Sequence, residues 1–319
     1  MSRREEPLRV ALAGCGAVGG ALLHLLASGA EVGGRRVQVT RVLVRRPEAP
    51  RRVAPRPELL TTDLAEFLAA PADVVVEAIG GLETAGRIAE HVLARGGRLV
   101  TANKALLAAR GSRLAALAQQ SGGWLGFEAA VGGGVPVVRA LRSSLAGLPI
   151  RSIRGILNGT ANFVLTRLEG GASLAAALAE ARRRGLAEAD PSRDLDGRDV
   201  AEKLAILAWV AWGIPPEELA VEREGLLPDP EGLVQEAIAQ GARLRLVGQC
   251  TLEAGRIAAR VHPELVAAES SFGQTRDEQN RVAITLGWSA PVELAGPGAG
   301  GAPTAGALWS DIQVAGVAA

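Results

Sequence analysis

The apolar positions of this chain fall into two kinds of run. Leu8 to Ala13, Asp73 to Gly81 with its glycine end, Gly97 to Thr101 and the segment from Trp124 to Glu128 read as short, largely apolar strands, and another strand is predicted over Val37 to Val44. Continuous apolar strands separated by helices imply a parallel sheet covered on both faces. Beyond residue 130 the pattern changes. Helical spacing recurs over Val135 to Leu145, Ala161 to Leu168 and Leu174 to Arg184, and strands are predicted over Arg151 to Leu157, Ala242 to Thr251, Arg256 to His262 and Arg281 to Trp288. The turn at Glu253-Ala254-Gly255 joins two of these strands, which predicts an antiparallel or mixed sheet. A last helix is expected over Pro303 to Val314.

The first strand runs into Gly14-Cys15-Gly16-Ala17-Val18-Gly19 and then into helical spacing at Ala21, Leu22, Leu25 and Leu26. Strand, glycine loop and helix in that order form the dinucleotide fingerprint. Gly14 makes the tight turn, Gly16 lets the backbone approach a pyrophosphate, and Gly19 lets helix and strand pack, with Ala17 and Val18 opening the helix toward the phosphates. The fold class is therefore α/β: a Rossmann dinucleotide-binding domain over 1–131 joined by a returning segment, 290–319, plus an α+β domain with a mixed sheet over 132–289. Arg45-Arg46 ends the second strand where an acidic residue would hold a ribose 2′-hydroxyl, so NADP is favoured, with NAD as the alternative. Ile79-Gly80 and Thr101-Ala102-Asn103-Lys104 stand at the carboxyl ends of later strands, the edge where such sheets bind ligands.

Charge excludes some partners. With 35 basic and 34 acidic side chains the formal net charge is +1, too little to steer the chain to nucleic acid or an anionic membrane. The charged N-terminus lacks a signal-like apolar stretch, and no segment is long enough to span a bilayer, so a cytoplasmic location is expected. Cys15 and Cys250 fit neither a zinc motif nor a disulfide framework, and read as small apolar fillers. His24, His91 and His262 have no metal spacing. The expected partner is a small molecule.

The cations carry a sharper signal. Only Lys104 and Lys203 are lysines; every other basic side chain is arginine, while Asn is used four times and Tyr not at all. In such a composition a retained lysine is a candidate for proton exchange, which arginine cannot perform. Lys203 follows the acidic cluster Glu188, Asp190, Asp194, Asp196 and Asp199, on a helix whose stripe is Val200, Leu204, Leu207 and Ala211. It falls beside that stripe and is expected to be largely buried. Asp199 is its i−4 neighbour, and Asp196 reads as the helix N-cap with Asp199 in the capping-box position. A buried lysine beside a carboxylate can be set for acid–base work, whereas an ordinary surface pair would contribute a few tenths of a kcal/mol. Neither cysteine is placed to be the nucleophile of a thiohemiacetal mechanism.

With Thr101-Ala102-Asn103-Lys104, Asn158-Gly159-Thr160, Gly185-Leu186-Ala187-Glu188-Ala189-Asp190-Pro191 continuing through Asp194 to Lys203, and Gly296–Gly301 before Pro303-Thr304-Ala305, the chain resembles homoserine dehydrogenase. The resemblance implies reversible hydride transfer between L-homoserine and L-aspartate 4-semialdehyde, in the biosynthesis of threonine, isoleucine and methionine. It implies that Glu188 takes the substrate amino group, that Asp194 and Thr160 line the substrate, and that Asp199 positions substrate and lysine. Lys203 would transfer the proton, Lys104 would stand where cofactor and substrate meet, and Gly185 and Gly298 would touch the cofactor. A sodium ion would be held by Glu128 and the carbonyls of Val131, Gly133 and Val135, and the protein would be a homodimer through its second domain.

Two departures accompany the resemblance. Many relatives continue into an amino-acid-sensing domain, whereas this chain stops after its last helix, so feedback inhibition is not expected. Arg45-Arg46 replaces the Arg-Asp often found there. Read from the residues alone, two other functions stay open: another NAD(P)-dependent sugar or amino-acid dehydrogenase of similar build, and a non-catalytic dinucleotide sensor.

Overall fold

A computed structural model describes residues 6–51, 53–187 and 190–317. The chain divides into two units, one running up to Ala130 and resuming at Gly301, the other Val131–Gly300.

The first unit is built on strands β1 (Leu8–Ala13), β2 (Glu31–Val32), β3 (Arg35–Leu43), β4 (Leu60–Thr61), β5 (Val74–Glu77), β6 (Arg98–Thr101) and β7 (Trp124–Gly126). Their order is β2-β3-β1-β5-β6-β7, with β4 beside β3. All neighbours are parallel except the short β2. Strands covered on both faces have no solvent side, and Leu8, Val10, Leu12, Val74, Val76, Leu99 and Val100 are accordingly inaccessible. From β1 the chain first builds outward to β3 and later returns to place β5 on the other flank. The carboxyl end of β1 is therefore the switch point at which sheets of this kind bind ligands.

Helices α1 (Ala17–Ala27), α2 (Leu64–Ala69), α3 (Glu83–Leu93) and α4 (Lys104–Ser121) connect these strands. The last helix of the chain, α11 (Gly301–Val317), packs against α1. Its residues Ala305, Leu308, Ile312 and Ala315 recur at intervals of three and four and are buried as one stripe. Leu308 and Ile312 each contribute about 1.5–3 kcal/mol by leaving water. Asp311 on the same helix accepts from the Glu128 N–H at 2.8 Å.

The second unit contains α5 (Val137–Arg142), β8 (Ile150–Ile156), α6 (Gly159–Glu169), α7 (Leu174–Arg183), α8 (Ser192–Leu195), α9 (Arg198–Trp212), β9 (Glu222–Arg223), α10 (Pro230–Ala239), β10 (Ala242–Glu253), β11 (Arg256–Ala267), β12 (Gln279–Leu286) and β13 (Val292–Pro297). The sheet order is β13-β12-β8-β10-β11-β9. Neighbours are antiparallel except β9 and β11, so the sheet is mixed. Helix α9 lies on β8, β10 and β11. A Cβ at Gly248 of β10 would stand 2.8 Å from Val200 Cγ1, so this glycine lets the helix come close to the sheet. Val200, Leu204, Leu207 and Ala208 are inaccessible, and so is Ile206, which widens the expected stripe.

Several expected boundaries move. The return to the first unit begins at Gly301 rather than 290, because Val292–Pro297 pairs with β12 and completes the second sheet. The strand from Trp124 stops at Gly126 and is followed by a 3-10 turn, Glu128–Ala130. The helix expected over Val135 to Leu145 contracts to Val137–Arg142, and β11 continues five residues past His262. Asp196 is not the N-cap of α9. Gly197 is, with φ of +82°, while Asp196 accepts from the Arg198 N–H at 2.9 Å one position earlier. Asp199 therefore stands in the first turn of α9 and not in the capping-box position. Among the described residues no helix is long and apolar enough to cross a membrane.

Candidate functional site

At the switch point of the first unit the three glycines do different work. Gly14 has φ of +99°, and a Cβ there would stand 2.5 Å from the Ala78 carbonyl oxygen; its N–H donates to Leu43 at 2.9 Å. A Cβ at Gly19 would overlap the Gly14 carbonyl at 2.0 Å, so that glycine is required by helix–loop packing. Gly16 is the contrast, with nothing within 4 Å of its Cβ position. Open space beside a bare backbone suits the approach of a pyrophosphate. Gly16 also caps α1 without a side-chain hydrogen bond, and the first turn carries no acidic residue, so the N–H groups at Ala17 and Val18 meet no carboxylate from their own turn. These residues fit a dinucleotide.

The carboxyl ends of β5 and β6 are tied together by a group that the spacing did not single out. Glu77 is inaccessible; its Oε1 accepts from the Ile79 and Gly80 N–H groups at 2.9 and 3.1 Å, and its Oε2 from the Thr101 hydroxyl at 2.6 Å. Thr101 accepts from the Asn103 N–H at 3.0 Å. Asn103 caps α4 by accepting from Leu106 N and reaches back to the Gly81 carbonyl at 2.7 Å. Ile79, Gly80 and Lys104 are therefore held on one rigid edge. Lys104 is half-buried and opens α4, where the positive end of the helix adds to its own charge and the two together attract an anion.

Arg45 and Arg46 are both exposed, just beyond β3. Arg51 holds the following loop by donating to the carbonyls of Arg46, Pro47 and Ala49. Burial raises the Cys15 thiol above its ordinary range, with Arg51 opposing, and burial alone pushes Cys250 up to about 12. Neither environment makes a thiolate.

In the second unit the chemistry converges on the N-terminus of α6 and one face of α9. Lys203 Nζ lies 2.7 Å from Asp199 Oδ2 and donates to the Leu157 carbonyl at 2.7 Å, with its side chain 12% exposed. Asn158 caps α6 by accepting from Ala161 N at 2.7 Å, and its amide donates to Asp194 Oδ1 and Asp199 Oδ2, both at 2.8 Å. Asp194, Asp199 and Lys203 are thus brought together by an asparagine that sequence reasoning quoted only as part of a motif. Thr160, also buried, donates its hydroxyl to the Leu186 carbonyl at 2.7 Å. Asp190 is exposed, and the Ser192 N–H holds its carboxyl below the usual range. Glu188 lies outside the described residues.

The remaining expected residues stand on other segments of the chain. Gly185 follows α7 with φ of +71°. Gly298 donates its N–H to Glu278 at 2.8 Å. Glu128 is a buried carboxylate of the first unit, whereas Val131, Gly133 and Val135 belong to the second, in a turn where Val135 N–H donates to Gly132 at 3.1 Å.

The family model described as homoserine dehydrogenase matches residues 136–313, and that of the homoserine dehydrogenase NAD-binding domain matches 14–128. Homoserine dehydrogenase of Pseudomonas aeruginosa is 36% identical over 313 residues, covering 96% of this chain and 72% of that protein. The crystal structure of a homoserine dehydrogenase from Thiobacillus denitrificans superposes with a TM-score of 0.88 at 38% identity, over 98% of this chain and 73% of that one. A hyperthermophilic archaeal homoserine dehydrogenase in complex with NADPH gives 0.81 at 27% identity, over 98% of both chains. These matches favour the dehydrogenase reading over a sensor and over a dehydrogenase of another kind. This chain belongs to the homoserine dehydrogenase family.

Proposed function

We propose that this chain oxidises L-homoserine to L-aspartate 4-semialdehyde and catalyses the reverse reduction, with Lys203 as the proton carrier. The observation that carries the assignment is the hydrogen-bond inventory of one ammonium. Lys203 has three N–H donors; Asp199 and the Leu157 carbonyl engage two of them. Among the described residues nothing engages the third, which is left for a substrate oxygen.

The bound nicotinamide accepts or supplies the hydride. In the reductive direction Lys203 gives a proton to the aldehyde oxygen as negative charge develops there, and in the oxidative direction its neutral amine takes the hydroxyl proton. Asp199 and Asn158 hold the lysine at that oxygen, with Asp194 beside them. Glu188 and Thr160 complete the substrate set, Glu188 as the anion for the amino group. On the coenzyme side the set is Gly14, Gly16, Ala17, Val18 and Gly19 for the pyrophosphate, Ile79, Gly80 and Lys104 at the nicotinamide end, and Gly185 and Gly298 from the family pattern.

NADP is the preferred coenzyme in this reading, because two exposed arginines follow β3. Sodium held by Glu128, Val131, Gly133 and Val135 is a further part of it; the donors are all oxygens, as a hard cation requires. A cytoplasmic homodimer in the pathway to threonine, isoleucine and methionine completes the proposal, without nucleic-acid or membrane partners.

The test follows absorbance of the reduced nicotinamide with homoserine and related alcohols, using NADP and NAD in turn, for the wild type and Lys203→Arg. Arginine keeps the charge but cannot exchange a proton near neutrality, so kcat is expected to fall by about 10²–10⁴-fold while the fold survives. Near-normal turnover with an unchanged pH profile would remove Lys203 from proton transfer and move the role to Lys104.

A further inference from the structure

The chain has only four asparagines, and all of them are buried: Asn103 is 5% exposed, Asn158 4%, Asn162 2% and Asn280 0%. Asn103 and Asn158 cap helices at the two groups described above. Asn162 donates to the carbonyls of Thr275, Asp277 and Gln279, fixing the segment that enters β12. Asn280 follows directly and belongs to no group described so far.

Its Nδ2 donates to the Leu157 carbonyl at 3.2 Å, the same oxygen that receives Lys203 Nζ at 2.7 Å. The amide orientation follows from chemistry, since only the NH2 side can face a carbonyl. Its Oδ1 is buried and has no hydrogen-bond partner among the described residues. The amide also lies against Gly298, where a Cβ would stand 2.0 Å from Oδ1 and 2.6 Å from Nδ2. An apolar side chain of the same size would fill this position without leaving an oxygen unpaired. A retained asparagine is therefore explained by what its NH2 group does.

We propose that Asn280 is a positioning residue for Lys203, acting through the shared Leu157 carbonyl. Leu157 lies between β8 and α6, outside the ladders that fix other peptide planes. A carbonyl oxygen has two lone pairs; with Asn280 on one, the peptide plane cannot turn and the other stays aimed at the ammonium. Gly298 is glycine, on this view, because the amide of Asn280 occupies the place of its side chain. The inference rests on Lys203 being the proton carrier.

The test is a double-mutant cycle of Asn280→Leu with Lys203→Met, reading kcat and KM for homoserine, NADPH binding by fluorescence, and urea unfolding. Displacing a reacting group by about 1 Å can cost about 10²-fold, so Asn280→Leu is expected to lower kcat by about 10- to 100-fold with NADPH affinity and homoserine KM within about twofold. In the Lys203→Met background the same substitution should lower the residual kcat no further. An equal loss in both backgrounds, or none in the wild type, would overturn the proposal while leaving the assigned reaction standing. Undiminished activity of Lys203→Met alone would overturn both. Asn280→Ala, which adds no new atoms beside Gly298, gives the same readings where the leucine variant fails to fold.

Discussion

Replacing Asp199 by asparagine separates the charge of the site from its shape. Lys203 Nζ and Asn158 Nδ2 both donate to Oδ2 of Asp199, at 2.7 and 2.8 Å, so an amide oxygen in that place keeps these two hydrogen bonds while the charge is removed. Opposite charges 2.7 Å apart attract by about 6 kcal/mol at an effective dielectric constant of about 20. Desolvation of two buried ions offsets part of this, and breaking a buried pair by neutralising one partner typically costs about 3–5 kcal/mol. The retained hydrogen bonds and the Leu157 carbonyl put Asp199→Asn at the lower end, about 3 kcal/mol. With a urea m-value of about 2–3 kcal/mol/M for a unit of this size, the midpoint should fall by about 1–1.5 M. Turnover should fall by about 10²-fold or more if the carboxylate holds the acid–base group in register. Urea titration followed by the tryptophans, with kcat under saturating homoserine, reads both effects. An unchanged midpoint would show that the pair is solvated in the native protein, and kcat within threefold of wild type would show that the charge of Asp199 is not used.

Three further outcomes are expected. Replacing Arg45 and Arg46 together by alanine should weaken NADP binding much more than NAD binding; equal losses in a paired titration would refute their reading of the 2′-phosphate. Glu188→Gln should raise KM for homoserine with coenzyme affinity retained, and an unchanged KM would assign Glu188 to the fold. Burial pushes the Asp73 carboxyl up, but hydrogen bonds and charge from Arg9, with the charge of Arg35, outweigh it and hold it below its usual 3.8, so its stabilisation is present above that value and is lost as pH falls through the depressed one. Asp73→Asn should therefore cost about 1 kcal/mol at neutral pH, little because Arg9 is 45% exposed, and nothing in strong acid; a stability gap constant with pH would exclude the linkage.

The parts of the fold that were legible in the sequence are those whose cause is local. Leu8–Ala13 is uncharged at five of six positions because both faces of a central parallel strand are buried, and the predicted bounds coincide with the observed ones. Val292–Pro297 was missed for the opposite reason. It is an edge strand, half-exposed and alternating with exposed residues, and its Ala-Gly-Pro end resembles the loop that follows. The cap of α9 was misplaced by one residue because an aspartate before a glycine can accept from the same first-turn N–H from outside the helix.

The site divides along a similar line. Asp199 and Lys203 were found because an i,i+4 pair on one stripe is visible within five residues of sequence. Glu77 with Thr101, Asn158 with Asp199, and Asn280 with Leu157 are separated by 24, 41 and 123 positions, and no periodicity connects them. A compositional signal was nevertheless present. The bias that reduced lysine to two positions also reduced asparagine to four, and the argument that a scarce residue is kept for work its substitutes cannot do applies equally to both. Arginine stands in place of lysine everywhere except at Lys104 and Lys203. Serine, aspartate or glutamine replaces asparagine except where one short planar group must donate on one side while it accepts on the other, as Asn103 and Asn158 do at their helix caps. On that reasoning the two lysines point to the reacting groups proposed above, and the four asparagines to the hydrogen-bonded scaffold around them.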